Sequence, residues 1–416
     1  MSEAAQQYIK APFPAFGGKS RVAAEVWARF GNVRNYIEPF CFSTAVLLKR
    51  PGGAGAVETI NDRNAFVANF WRAVRSDPDA VAEHADWPVI ETDLHARHRW
   101  LVTSGEAIAA LDRVRAEPDY YDARIAGWWC WGACCWIGAG WCDEVESAKI
   151  PRISDSVGVN GGRLPYLTSS QGINTAAGPN DRQPALAQPG WGINAVAAWD
   201  RHAKRLMYNA DGLGNGIARN IDAPDDTHRP QLADEFSRGR GVDGAMDQMT
   251  CSDRRRWITQ WMHRLADRLR PVRVCCGHWN RVCDSPSTMT RLGLTGVFLD
   301  PPYRVTLACG KANRTKHIYA NDRHQDVNAL CDEVQEWCLR WASDREVRIA
   351  LCGLEGEYPE IERPGSGWTT FAWKSNGVYG NRNKDNENAR RERIWFSPHC
   401  LVPGAGDGGL FTGATP

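Results

Sequence analysis

The sequence has no apolar run near the roughly 18 residues that a membrane-spanning helix needs. Its opening, Met1-Ser2-Glu3-Ala4-Ala5-Gln6-Gln7, lacks the form of a secretory signal. It has almost no excess charge of either sign: the formal net charge is +1 over 416 residues. A nucleic-acid partner would therefore have to meet a local basic patch balanced elsewhere in the chain. There are 14 cysteines but no Cys-x-x-Cys spacing of a zinc site. Cys134-Cys135 and Cys275-Cys276 are adjacent pairs that suit buried thiols better than ligands. These absences predict a reducing, cytoplasmic setting, with no membrane span and no structural metal. What the chain does have is length enough for a catalytic domain plus an insertion or second domain, and 19 tryptophans gathered in a few places.

The most informative stretch is Val297-Phe298-Leu299-Asp300-Pro301-Pro302-Tyr303. It reads as a buried strand that ends in an acid, after which two prolines forbid further sheet pairing. In open α/β sheets the carboxyl end of a strand is where ligands bind. A carboxylate, a rigid turn and a ring suit a substrate that is an amino group on a flat heterocycle. Asp300 and the carbonyl before Pro302 can accept hydrogen bonds from such an NH2 and draw its lone pair out of conjugation. Tyr303 can stack on the ring, and the prolines fix both at low entropic cost.

Upstream, Gly17-Gly18 makes a turn that lets backbone approach a ligand, and Lys19 follows it. A helical pattern runs from Val22 to about Phe30. Asn35-Tyr36-Ile37-Glu38-Pro39-Phe40 reads as a strand and tight turn, with a helix continuing to Leu48. Val57 to Asp62 is a second strand ending in an acid, and a helix from Ala65 to Arg75 follows. A second-strand acid is how doubly wound folds hold ribose hydroxyls.

From Trp87 to Ala116 the pattern is helical. His95 and His98 sit one turn apart, with no acidic or cysteine partner expected at matching spacing, so they are not read as metal ligands. Gly127 to Cys142 alternates small residues with tryptophans. It reads as a tightly packed core helix, or as a segment that turns Trp136 or Trp141 toward a substrate channel. Lys149 to Thr250 is rich in Gly, Asn, Pro, Asp and Arg. It carries an irregular repeat of the form basic-x-Pro-x-aliphatic followed by a glycine turn, as at Arg163-Leu164-Pro165-Tyr166-Leu167 and Arg182-Gln183-Pro184-Ala185-Leu186, with a degenerate copy at Arg229. Arginines on glycine turns suit phosphate and groove contacts; a partly disordered surface insertion is the other reading.

Arg254 to Ala266 is an amphipathic helix with a basic face, and Val272 to Trp279 is a third strand and its turn. After the central motif comes a basic loop bearing Lys311, Arg314 and Lys316. A helix from Asp326 to Trp341 and strands at Val347–Cys352, Trp368–Trp373 and Arg393–Ser397 follow. A polar loop between the last two strands carries Arg382 and Lys384, and the tail beyond Pro403 is glycine-rich. Two strands precede the long middle and five follow it, which predicts an α/β, doubly wound sheet with a final hairpin-like pair.

The order Gly17-Gly18-Lys19, Glu38-Pro39-Phe40, Asn61-Asp62, a long gap, then Asp300-Pro301-Pro302-Tyr303 resembles that of the DNA adenine-N6 methyltransferase family, in particular phage-type members. The match covers roughly residues 10–80 and 270–400. The resemblance implies a Rossmann-like methyltransferase sheet of about seven strands with a large target-recognition insertion. It divides the chain into residues 8–82 and 269–402 for the catalytic domain, 83–268 for the insertion and 403–416 for a flexible tail. It also implies S-adenosylmethionine as cofactor and double-stranded DNA as partner, and does not choose among a phage, solitary or restriction-linked role. Catalysis would fall to Asp300, Pro301, Pro302 and Tyr303. The cofactor would be held by Phe16, Gly17, Lys19, Glu38, Pro39, Phe40, Asp62, His278 and Asp300. DNA would be met by Lys19, Arg163, Arg182, Arg229, Lys311, Arg314, Lys316, Arg382 and Lys384. Attack on cytosine C5 would need a Pro-Cys nucleophile, which the chain lacks. The family's cofactor loop carries glycines where this chain has Phe42 and Thr44, and an acid where it has His278. Two alternatives therefore stand beside adenine methylation: the same chemistry on cytosine N4, and a DNA-binding protein on a methyltransferase fold with weakened catalysis.

Overall fold

A computed structural model describes residues 9–13, 15, 18–136, 141–142, 198–200, 205–207, 251–305, 307–308, 311–312, 324–373 and 390–403. Its centre is a seven-stranded mixed sheet. The strands are β1 (Asn35–Glu38), β2 (Val57–Asp62), β3 (Val272–Cys276), β4 (Thr295–Leu299), β5 (Val347–Leu354), β6 (Thr369–Ala372) and β7 (Glu392–Phe396). Their spatial order is β6-β7-β5-β4-β1-β2-β3. The five strands from β5 to β3 run parallel, and β7 runs against both β5 and β6. The fold is thus α/β and Rossmann-like, closed at one side by an antiparallel pair.

The strand period explains the two layers. Every residue of β1 and β4 is buried, as a strand covered on both faces requires. Tyr36, Phe298, Ala350 and Cys352 point into one core, and Ile37, Val297, Leu299, Ile349 and Leu351 into the other. The second core is sealed by α9 (His324–Trp341), whose Val327, Cys331, Val334 and Cys338 recur at helical spacing. Cys276 faces the first core and Cys275 packs against the second, so these adjacent thiols are free and lie on opposite faces.

The first core lies under a thicker helical layer. Next to the sheet stand α1 (Ala23–Phe30), α2 (Ala45–Leu48) and α3 (Ala65–Ser76). Around α3 lie α4 (Pro78–Ala85), α6 (Gly105–Ala116), α7 (Ala123–Cys135) and α8 (Cys251–Leu269), with α5 (Glu91–Thr103) packed on α6 and α7. The sequence reads a single helical stretch from Trp87 to Ala116. The structure divides it at Ser104, whose side chain caps α6 by accepting from the Ala107 amide at 3.0 Å. Helix α4 goes unread in the sequence although Asp77 caps it and Pro78 opens it. The boundaries expected after residues 82 and 268 fall within α4 and α8, both of which contribute to the core shared with the sheet.

In α7 the glycines make room for neighbours, as the core reading expects. A β-carbon on Gly127 would come within 2.4 Å of His84, and one on Gly132 within 1.8 Å of the Trp141 ring. Trp141 stacks on His98 with ring centres 5.0 Å apart, and Trp136 also packs against that imidazole. Burial among these rings lowers the His98 pKa to about 4, with His95 adding to it. One turn before His95, Glu91 does supply an acid that the sequence reading overlooked: its carboxylate lies 3.5 Å from the His95 imidazole.

Helix α8 spends part of its basic face internally. Arg268 and Arg50 both pair with Glu58 of β2, at 2.7 and 3.1 Å, and the Glu58 side chain is fully buried. Arg254 pairs with Asp86 at 3.2 Å. No helix among the described residues is long and apolar enough to cross a membrane.

Candidate active site

The central motif ends at the carboxyl edge of the sheet. β4 is wholly buried as far as Leu299, and the Asp300 side chain emerges 25% exposed. Lys19, in a short helical turn (Lys19–Arg21), is only 4% exposed. Its ammonium lies 2.9 Å from Asp300 Oδ1 and donates to the Tyr303 hydroxyl at 2.9 Å. It also sits 5.3 Å from the centre of the Tyr303 ring and 5.6 Å from that of Trp373. Burial opposes the charge on Lys19. Asp300, with Glu392 acting in the same sense, more than offsets that cost, so the ammonium is held well above the ordinary lysine pKa.

Glu392 reaches this cluster from β7. That strand runs antiparallel, so its first residue lies opposite the last residue of β5, Leu354, at the same edge as Asp300. The Tyr303 hydroxyl lies 3.4 Å from Asp300 Oδ1 and 3.4 Å from Glu392 Oε2. Glu392 and Trp373 were not among the residues expected here. The signal for Glu392 was an acid heading the apolar run Ile394-Trp395-Phe396; for Trp373 it was a ring ending a strand.

The neighbouring strands carry the residues expected around a cofactor. Glu38, at the end of β1, is buried, and its Oε2 accepts from the Tyr36 hydroxyl at 2.9 Å and the Leu47 amide at 3.2 Å. Burial pushes its pKa up to about 8, eased by those two donors and reinforced by the Asp300 charge. Among the described residues no lysine or arginine forms an ion pair with it. Asp62, at the end of β2, accepts from the Asn64 amide through Oδ1 at 2.8 Å and from the Phe42 amide through Oδ2 at 3.0 Å. Burial raises its pKa to about 6 against the pull of those amides. Asn61 donates to the carbonyls of Pro39, at 3.0 Å, and Gly277, at 3.1 Å, and so ties the ends of β1 and β3 together.

The loop after β1 takes glycine-like backbone without glycine. Phe42 has φ of 30° and Thr44 of 50°, conformations that cost a non-glycine residue roughly 1–3 kcal/mol each. The loop is held from several sides. Trp71 donates to the Phe42 carbonyl at 2.8 Å, Asp62 takes its amide, and the Phe42 ring packs against Phe13 at 5.5 Å. That ring is still 37% exposed. Phe40 is stacked on Trp279, with centres 5.7 Å apart. His278 is half-exposed, pairs with Asn280 at 2.9 Å and lies 3.7 Å from Glu333 of α9.

The structure therefore brings Lys19, Asp300 and Tyr303 into contact, and sets Glu38, Pro39, Phe40, Asp62 and His278 at the same carboxyl edge. Phe16, Gly17, Arg163, Arg182, Arg229, Arg314, Lys316, Arg382 and Lys384 lie outside the described residues. Lys311 falls in a two-residue ribbon (Lys311–Ala312) paired with Leu307–Ala308.

The sequence matches no protein-family model and no curated protein. Any function rests on the chemistry of this edge.

Proposed function

We propose that the protein is an S-adenosylmethionine-dependent DNA methyltransferase acting on the N6 amino group of adenine. The observation that carries this reading is Asp300. It is a partly open carboxylate at the ligand edge, backed by Pro301 and Pro302, with one oxygen on the buried Lys19 ammonium. The second oxygen is oriented by that contact and is available to an amino hydrogen. A sheet closed by an antiparallel pair agrees with the architecture that the resemblance implies.

The donor set fits the cofactor. Glu38 offers a buried carboxyl, paired with no lysine or arginine among the described residues, to an ammonium group. Asp62 retains acceptor capacity for a ribose diol, since each of its oxygens holds one amide of the two hydrogen bonds it can take. S-adenosylmethionine supplies an electrophilic methyl group on a sulfonium. The target adenine leaves the duplex to reach the edge and stacks on Tyr303. Asp300 and the Pro301 carbonyl would accept hydrogen bonds from the two amino hydrogens and turn the nitrogen lone pair out of the ring; transfer of the methyl group to that nitrogen would break its bond to sulfur, leave a neutral thioether and release one amino proton to solvent. The Asp300 charge is worth most as positive charge grows on that nitrogen. No covalent bond to the protein is needed.

Cytosine N4 presents the same amino chemistry; members of the class that act on it more often begin the motif with serine, so the aspartate favours adenine. A DNA-binding protein without turnover is the reading that the strained Phe42 loop favours. Expression in a methylation-free host, with modified bases mapped on the genomic DNA, tests all three. N6-methyladenine supports the proposal, N4-methylcytosine transfers the mechanism to the other base, and unmodified DNA with intact cofactor binding leaves the non-catalytic reading.

A further inference from the structure

We infer that Glu392 is a positioning residue for Asp300, acting through the hydroxyl of Tyr303; the inference rests on the methyltransferase reading of this edge. The Tyr303 hydroxyl accepts from Lys19 at 2.9 Å, so its single hydrogen is left to be given away. Two carboxylate oxygens stand at 3.4 Å to receive it, Asp300 Oδ1 and Glu392 Oε2. It can go to only one. Asp300 Oδ1 already accepts from the Lys19 ammonium at 2.9 Å. A second donor on the same carboxylate would withdraw charge from the group that must polarise the substrate amine. Glu392 draws the hydroxyl hydrogen to itself and shares the Lys19 charge, and both effects leave Asp300 the stronger acceptor. Glu392 is 8% exposed and meets the Tyr303 hydroxyl through Oε2, so its link to Asp300 runs through that hydroxyl.

The local charge count makes the assignment testable in the free protein. Among the described residues, the Lys19 ammonium pairs with Asp300 and is also stabilised by the Glu392 charge. Neutralising Glu392 removes that contribution only while Lys19 is present. Glu392→Gln should therefore lower Tm more in the parent than in Lys19→Met, whatever else Glu392 meets. An equal change in both backgrounds overturns the network.

The catalytic arm is a double-mutant cycle in single-turnover methylation. Glu392→Gln should slow methyl transfer about tenfold, the size of one charge-assisted hydrogen bond, with DNA and cofactor affinities unchanged. In Tyr303→Phe, which has no hydroxyl to compete for, the same substitution should cost less than about twofold, since the coupling runs through that hydroxyl. Equal costs in both backgrounds would mean that Glu392 merely supports β7, and would overturn its role while leaving the methyltransferase reading intact. A parent protein that transfers no methyl group overturns that reading and this role with it.

Discussion

At the β4–β7 side of the sheet edge, Lys19, Asp300, Tyr303 and Glu392 hold one another in a connected set of charge-assisted contacts. At the β1–β3 side, Glu38 and Asp62 are held by backbone amides and a sequence neighbour instead, and the half-exposed His278 by Asn280 and Glu333. The first side is preorganised: its geometry is set by partners already in place, which is what polarising a reacting group requires. The second is a row of separate side chains at or just past the ends of β1, β2 and β3, tied by Asn61 and by the strained Phe42 turn. In the proposed function one extended ligand bridges them. The contrast suggests that changes on the β4–β7 side act on turnover, and changes on the β1–β3 side on binding and stability.

The largest effect that would break the contrast is at Asp300. Asp300→Ala should reduce single-turnover methylation by about a hundredfold or more, the usual loss for one preorganised charged contact, with DNA and cofactor affinities nearly unchanged. Near-parental methylation by this variant would sink the mechanism whatever the fold. Tyr303→Ala should act on capture of the base, at about 1–3 kcal/mol of lost stacking. A 2-aminopurine placed at the target position reads this directly, through its loss of fluorescence change on binding. An unchanged signal would remove Tyr303 from base recognition.

Much of the fold was legible because the strands carry their own labels. β2 runs from Val57 to its acid Asp62 as read, and the proline pair ends β4 where the sequence places the end. What sequence alone could not give was which distant residues meet. Lys19 and Asp300 lie 281 residues apart, and their contact was approachable only through the family resemblance. Glu392 was hidden for a topological reason: only the reversal of β7 brings the start of that strand, and not its end, to the ligand edge. Helix α4 was missed because its stripe, Val81, Ala82 and Ala85, is short and weakly apolar, although its cap was plain. The positive φ of Phe42 and Thr44 ran against residue preference. The surrounding hydrogen bonds from Trp71 and to Asp62 impose it, and no local rule announces them.

Phe42 offers a smaller test, on the β1–β3 side. Glycine takes φ of 30° without the side-chain clash, so Phe42→Gly should relieve on the order of 1 kcal/mol of backbone strain. It should tighten S-adenosylmethionine binding or leave it unchanged, because the amide to Asp62 and the carbonyl to Trp71 both persist. Calorimetry showing binding weakened severalfold would make the exposed ring a working wall of the pocket.

A pH-dependent effect is expected at Glu38, and its sign follows from proton linkage. The folded protein raises this carboxyl from an ordinary 4.5 to about 8 because burial disfavours the charged form. Between those values the folded state holds a proton that the unfolded chain has released, so the Glu38 contribution to stability falls as pH rises through that window. Glu38→Gln keeps an acceptor oxygen for the Tyr36 hydroxyl and the Leu47 amide but has nothing to ionise. Its Tm should match that of the parent near pH 5 and exceed it near pH 8, by a gap that widens across the interval. Among the described residues no lysine or arginine forms an ion pair with this carboxyl, so adding S-adenosylmethionine at pH 8 should close the gap from the parent side while leaving Glu38→Gln little changed. A gap independent of pH would show that Glu38 stays ionised in the folded protein. A ligand shift equal in both proteins would take the ammonium away from this carboxylate and leave Asp62 to anchor the cofactor on its own.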